Sequence, residues 1–265
     1  MILASASPTS VVLTLATAVA YAVPAAAARR LSDRAARMAL LVAWLLHAVV
    51  IAWGLLEQPP RFGFAPALSV TAWLVLTVYA VEQQMFPQLQ ARWALGALGS
   101  LAVLLALAFP GSPLHPTASA WLPLHWALGI ASYGLFAAAV VHAWLMMRAE
   151  RHIRIANDPQ SGLPLLTLER LTFRFAGAGF VLLTATLVAG LFFSEALYGG
   201  SVKWDHKTVF SVLSWVVFAI LLLGRWRFGW RGRKAVRVLY TGSLLLLLAY
   251  AGSRFVLEVI LRRPV

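Results

Sequence analysis

The chain has 265 residues, 61% hydrophobic and only 12% charged, with 22 Lys and Arg against nine Asp and Glu and a net charge of +13. A composition this apolar lies outside the range of soluble globular domains and indicates a polytopic membrane protein. No Walker loop, RNA-binding signature or basic soluble domain accompanies the positive charge, so nucleic acid is not an expected partner. Cysteine is absent, which excludes disulfide exchange, thiolate zinc, iron–sulfur ligation and covalent haem attachment to this chain.

Eight apolar segments are each near the roughly 20 residues needed to cross about 30 Å of hydrocarbon. They run approximately 8–28, 38–57, 66–83, 93–109, 122–147, 175–197, 207–224 and 236–260. In the first, Met1 is followed by Ile2 with no basic residue, and Arg29-Arg30 come after the apolar run, the reverse of a signal peptide. It reads as a first span with an outward N-terminus and a kink expected at Pro24. The second span carries His47 at its middle. Glu82, Gln83, Gln84, Pro87 and Gln90 blur the junction of the third and fourth, so a seven-span arrangement arises if one of these two lies in the interface.

The loop after the fourth segment holds His115 between prolines. The fifth span opens at His125 among Trp121, Trp126 and Tyr133 and carries His142 toward its other end. A long connection over about 148–174 contains His152 and the turn cluster Asn157-Asp158-Pro159-Gln160-Ser161-Gly162. The stretch from Leu163 to Arg170 is expected to form a short amphipathic helix on the membrane surface. The sixth span begins with the small-residue run Ala176-Gly177-Ala178-Gly179, a candidate face for another membrane protein. Before the seventh comes Lys203-Trp204-Asp205-His206-Lys207-Thr208, a dense polar and aromatic knot, and Arg254 and Glu258 lie four apart in the eighth.

Backbone groups in lipid must pair within the segment, and 20-residue apolar runs exclude alternating barrel strands, so the fold is an all-α bundle of about eight transmembrane helices. It forms one membrane domain over residues 1–265. Most of the 22 Lys and Arg fall in the first, third, fifth and seventh connections, which places those in the cytoplasm and both termini on the outer, periplasmic side. Arginine loops beside anionic lipid then account for the net charge.

That orientation puts His115, His125 and His206 on the outer side. His47 has two readings, a ring hydrogen-bonded to neighbouring helices or an intramembrane functional group. A neutral imidazole is also a suitable axial ligand for haem iron. Tyr133, eight residues after His125, falls on the same broad helix face, although an interfacial aromatic belt would explain the local Trp and Tyr equally. In the knot, Lys203 and Lys207 suit the carboxylates of a porphyrin or another anion. Trp204 offers a stacking face, Asp205 a group to orient a ring or a cation, and His206 a ligand or hydrogen-bond partner. An interfacial Trp with snorkelling Lys is the plainer alternative. No paired carboxylates or nucleophile–base pair stands out, so an enzyme is not expected.

The run from Trp204-Asp205-His206-Lys207-Thr208 to Trp215-Val216-Val217-Phe218 resembles the Trp-Asp-Pro-Lys segment and Trp-containing span of the cytochrome c assembly (CcsA/CcmC/CcmF-type) haem-handling membrane proteins. Leu124-His125 leading to Ser132-Tyr133 is similar to the His-bearing span of that family, and the chain as a whole resembles its compact YpjD-like branch. The resemblance implies a bacterial inner-membrane protein that binds haem b near its outer face and assists cytochrome c biogenesis beside other inner-membrane proteins. By position, His125 matches a flanking His, Trp204, Asp205 and Lys207 match the end of the tryptophan motif, and His47 matches an inner His. The sequence departs where the motif's proline is His206 and where a second flanking His would stand, which here reads Gly252-Ser253-Arg254. His206 is therefore the candidate second ligand beside His125, and a cofactor-free membrane accessory or regulatory subunit is the alternative.

Overall fold

The helix starts follow local chemistry. In the computed structural model, α1 (Pro8–Ala26) opens with Pro8 at its first position and Ser7 as N-cap, the Ser7 hydroxyl accepting from the Ser10 amide at 3.2 Å. Proline loses nothing there, because that amide has no helical partner. Ser32 caps α2 (Asp33–Leu56) in the same way, accepting from Ala35 at 3.3 Å. Then come α3 (Phe64–Met85), α4 (Arg92–Ala108), α5 (Trp121–Ala156), α6 (Leu165–Phe192), α7 (His206–Phe228) and α8 (Gly232–Leu247). The last runs on through a π-helical turn (Leu248–Gly252) into a final helical turn (Ser253–Phe255). The structure describes residues 7–27, 30–57, 61–85, 92–113, 121–156, 165–192, 205–256 and 260.

Among the described residues eight helices therefore answer the eight apolar segments, and seven of them are long and apolar enough to cross a membrane. The shorter one is α4, at 17 residues, or about 25 Å of rise. Three boundaries depart from expectation, one of them the end of α5, which runs on to Ala156 where a connection was expected from about 148. The segment read as a separate surface helix is instead the first turns of α6. Leu168, Thr172, Ala176, Gly179 and Leu183 are its buried positions, and this three-to-four spacing forms one stripe that continues unbroken through the polar start. Likewise α2 begins at Asp33, so Arg34 and Arg37 lie within the helix.

The chain divides into two compact units, Met1–Pro116 with Arg254–Val265, and Thr117–Ser253. In the first, α1 packs on α2 and α4, and α3 packs on the same two helices. The close approach of α1 and α4 needs glycine. A Cβ at Gly96 would sit 2.9 Å from the Tyr21 carbonyl oxygen, and one at Gly99 would sit 3.0 Å from the Tyr21 ring. A short antiparallel pairing joins β1 (Arg61–Phe62) to β2 (Ser112–Pro113). The connections before α3 and after α4 consequently share one side of this unit. Gly111 makes the pairing possible, with φ of +80° and the Phe62 carbonyl in the space a side chain would take.

In the second unit each helix packs on two others, α5 on α6, α6 on α7, α7 on α8 and α8 on α5. At its centre the Phe136 and Phe218 rings stack 3.6 Å apart and 8° from parallel. Glycines hold this stack from both sides: a Cβ at Gly179 would stand 3.2 Å from Phe136, and one at Gly242 2.7 Å from Phe218. Two serines cross helices beside it. Ser132 donates to the Gly179 carbonyl at 3.1 Å and Ser214 to the Gly242 carbonyl at 2.9 Å. Small residues that let backbones approach, and hydroxyls bonded across helices, are what hold helices together where lipid removes the hydrophobic drive. The Ala176 and Gly179 side of the small-residue run is thus used inside the chain, while Gly177 faces open space.

Candidate functional site

One end of the second unit collects the start of α5, the end of α6, the start of α7 and the π-helical turn. Asp205 fixes the start of α7. Its carboxylate accepts from the Thr208 amide at 2.9 Å, an N-cap that satisfies an otherwise unpaired helical amide and places negative charge at the positive end of the helix dipole. The cap sets the direction of the next two side chains. His206 is exposed, whereas Lys207 is half-buried and turns inward, its ammonium 5.9 Å from the centre of the Tyr250 ring.

Tyr250 reaches that point through the π-helical turn. A π turn inserts an extra residue into the helical ladder and re-aims the side chains it carries. Here Tyr133 of α5 braces it, donating its hydroxyl to the Leu246 carbonyl at 2.7 Å and meeting Tyr250 edge to face with centroids 6.4 Å apart. His125, in the second turn of α5, packs against α6. Its Cε1 lies in ordinary contact with the position a Gly190 side chain would take, its ring bonds to the Thr186 backbone, and the Lys207 charge acts on it. His125, Lys207, Tyr250 and Tyr133 are thus linked in sequence, Lys207 and Tyr250 joining the other two. This end presents an imidazole, an ammonium and two phenol rings.

Trp204 lies outside the described residues, as does His115; of the side chains of Trp121, His152, Arg254 and Glu258 nothing is described. Asp205 acts within its own helix rather than on a His ring. The Nδ1 of His142 donates to the Ala138 carbonyl one turn back at 2.7 Å, and its ring packs on Phe175.

His47 lies in the first unit and is fully buried. Its Nδ1 shares a hydrogen bond with the Tyr21 hydroxyl at 3.2 Å and its Nε2 another with the Ser69 hydroxyl at 2.8 Å. A neutral imidazole has one donor and one acceptor nitrogen, and both are engaged. The ring therefore ties α1, α2 and α3 together. Beside it Trp44 and Trp73 stack 5.1 Å apart, with Trp44 donating to Thr77 at 2.8 Å and Trp73 to the Trp44 carbonyl at 3.2 Å.

The sequence reading did not single out Tyr250 as a site residue, or the ion cluster at the other end of the second unit. There Glu169 of α6, its side chain 12% exposed, meets Arg225 of α7 at 2.6 Å and Arg231 at 3.5 Å. A lone glutamate in the polar start of α6 was a usable signal, because a carboxylate at a membrane edge needs a cationic partner.

Comparison with known proteins agrees with this architecture. The model of the family described as cytochrome C assembly protein matches residues 33–261. The inner membrane protein YpjD of Escherichia coli strain K12 is 30% identical over 238 residues, covering 86% of this chain and 88% of that protein. An uncharacterized 28.8 kDa protein of Azospirillum brasilense is 37% identical over 144 residues, 53% of each chain. The cytochrome c biogenesis protein CcsA of Chlamydomonas reinhardtii is 26% identical over 225 residues, covering 81% of this chain and 63% of that one. With a family match that runs from the first residue of α2 to residue 261, the chain belongs to the cytochrome c assembly protein family.

Proposed function

We propose that this protein is an inner-membrane haem-handling factor of its family, which binds haem b at the His125 end of the second unit and assists cytochrome c biogenesis without turnover of its own. The observation that carries the reading is the convergence of His125, Lys207, Tyr250 and Tyr133 from three helices onto one end. The donor set suits the group. An imidazole nitrogen serves haem iron, an ammonium serves propionate charge, and phenol rings offer apolar faces to a macrocycle.

His125 is the first ligand in this reading, and His206, exposed one residue before Lys207, is the second. Trp204, adjacent to Asp205 in the chain, is a further candidate for stacking on the macrocycle in this reading. Asp205 holds the rim in place by capping α7, and Tyr133 holds Tyr250. Haem would supply the iron-centred redox and transfer chemistry, while these residues bind, orient and shield it. His47 serves as a helix-joining ring, since both of its nitrogens are already engaged. With the even-numbered connections outside, the site faces the periplasm.

Protein purified from haem-supplied cells should show a Soret band that weakens strongly in His125→Ala. A colourless wild-type protein would overturn the reading. One observation favours a cofactor-free accessory subunit instead: Gly177 has nothing within 4 Å of where its Cβ would be and Ala178 is exposed, leaving a small-residue face on α6 for another helix. In that case His125→Ala and His206→Ala are silent, and Gly177→Leu abolishes association with the partner.

A further inference from the structure

At the opposite end of the same unit, α7 and α8 are joined by a tight hairpin rich in arginine and aromatic residues. We propose that this hairpin, over residues 225–237, is a docking site for the phosphodiester headgroups of anionic phospholipids.

The hairpin is rigid. Gly229 takes the left-handed conformation, φ +64°, and its amide bonds the Arg225 carbonyl at 3.1 Å while the Trp230 amide bonds the Gly224 carbonyl at 3.1 Å. This is how helices end on glycine. The Trp230 ring lies so close over Gly224 that a Cβ there would meet it at 2.4 Å. Arg225 donates to the Trp230 carbonyl at 3.2 Å, lies 4.5 Å from the Phe173 ring centre, and is held by Glu169, which also meets Arg231.

Glu169 uses up two cations and leaves the others. Arg227, Arg233 and Arg237 are exposed and, among the described residues, have no acidic partner. Lys234 stacks its ammonium 3.9 Å from the Trp230 ring. No acid lies in the first turn of α8, so its cations also face the positive end of the helix, an arrangement that an anion relieves. Trp226 and Phe228 stand 81% and 73% exposed among these charges.

The location selects the anion. Both flanking helices are long and apolar enough to cross a membrane, so the hairpin lies at a membrane face. Exposed aromatic rings there rest at headgroup depth, with arginines reaching the phosphates. A soluble anion would match the arginines and leave the exposed faces of Trp226 and Phe228 in water, whereas a phospholipid matches both.

The test uses the full purified chain and measures phosphatidylglycerol retained after exchange into mixed detergent and lipid, beside phosphatidylcholine and inorganic phosphate. Each cation at an anionic surface is worth about fivefold in affinity. The triple variant Arg227→Gln, Arg233→Gln, Arg237→Gln should therefore retain at least about tenfold less phosphatidylglycerol, and the corresponding triple Arg→Lys variant should retain it as wild type does. In the wild-type protein, added salt should lower retention, a readout that needs no variant. Unchanged retention in the triple Gln variant, equal retention of phosphatidylcholine, loss in the Lys variant, insensitivity to salt, or competition by inorganic phosphate or a short DNA duplex at matched charge would each overturn the proposal. None of these measurements depends on haem.

Discussion

His47 and His125 are both membrane-helix histidines, and their surroundings differ in kind. His47 is sealed, with each nitrogen bonded to a hydroxyl from a different helix. His125 lies half-buried at a helix start, against a glycine and within the field of a lysine. In the reading proposed above, the ring with both nitrogens engaged holds structure and the ring at the edge, beside a cation and two phenols, is the ligand. Depth in the bilayer, the usual sign of a functional histidine, favours His47, whereas the hydrogen bonds it already makes favour His125 in the proposed reading.

Substitutions can break this contrast. His47→Ala should have the largest effect, since it strands two buried hydroxyls and opens a cavity. A cost of about 3 kcal/mol is expected from unsatisfied buried groups and lost packing. The melting temperature in detergent should fall sharply, while the Soret absorbance per folded molecule stays at wild type. A loss of that absorbance in folded His47→Ala protein would show that the two histidines share one site.

Gly99→Ala should come next. It forces Tyr21 away from α4 and strains the Tyr21 to His47 bond, at about 1–3 kcal/mol typical of overpacking. Adding Tyr21→Phe to Gly99→Ala should produce less than the sum of the two single costs, because both act through one hydrogen bond. Additive melting shifts would remove the bond from the account.

Asp205→Ala should cost about 1 kcal/mol, the usual worth of an N-cap, and Asp205→Asn much less. If Asp205 instead oriented a bound ring, Asn would lose the haem signal as completely as Ala. His125→Ala should have the smallest effect on stability, under about 1 kcal/mol for a half-buried side chain whose loss leaves little cavity, and the greatest on the Soret band. A large drop in melting temperature with an unchanged spectrum would reverse the assignment of the two histidines.

Much of the fold was legible because the bilayer enforces it. All eight helices fall where the apolar runs lie, since lipid leaves a backbone no other way to pair its polar groups over that length. The boundaries that moved, Asp33, Ala156 and Leu165, did so because arginines and glutamates at a membrane edge lower local apolarity without stopping a helix; α6 carries its buried stripe from Leu168 straight through them.

The site was legible in part. His125, Tyr133, Asp205 and Lys207 were named from the sequence, and the fold brings His125, Lys207 and Tyr133 to one end, with Asp205 capping the helix that carries Lys207. Tyr250 was not named, because its placement depends on a π turn, and no three- or four-residue period announces one. Glu169 was read only as part of a short surface helix, and its partners Arg225 and Arg231 are more than 50 residues away in the chain.

The sequence alone determined that the chain is a helical membrane protein of this family, since composition, run length and the Trp204 to Lys207 motif are local properties. Tertiary structure alone decided which histidine has both nitrogens bonded, which lysine turns inward and which arginines Glu169 holds. Those depend on partners tens of residues away, Ser69 for His47, Tyr250 for Lys207 and Glu169 for Arg225, and only packed helices bring such partners within bonding distance.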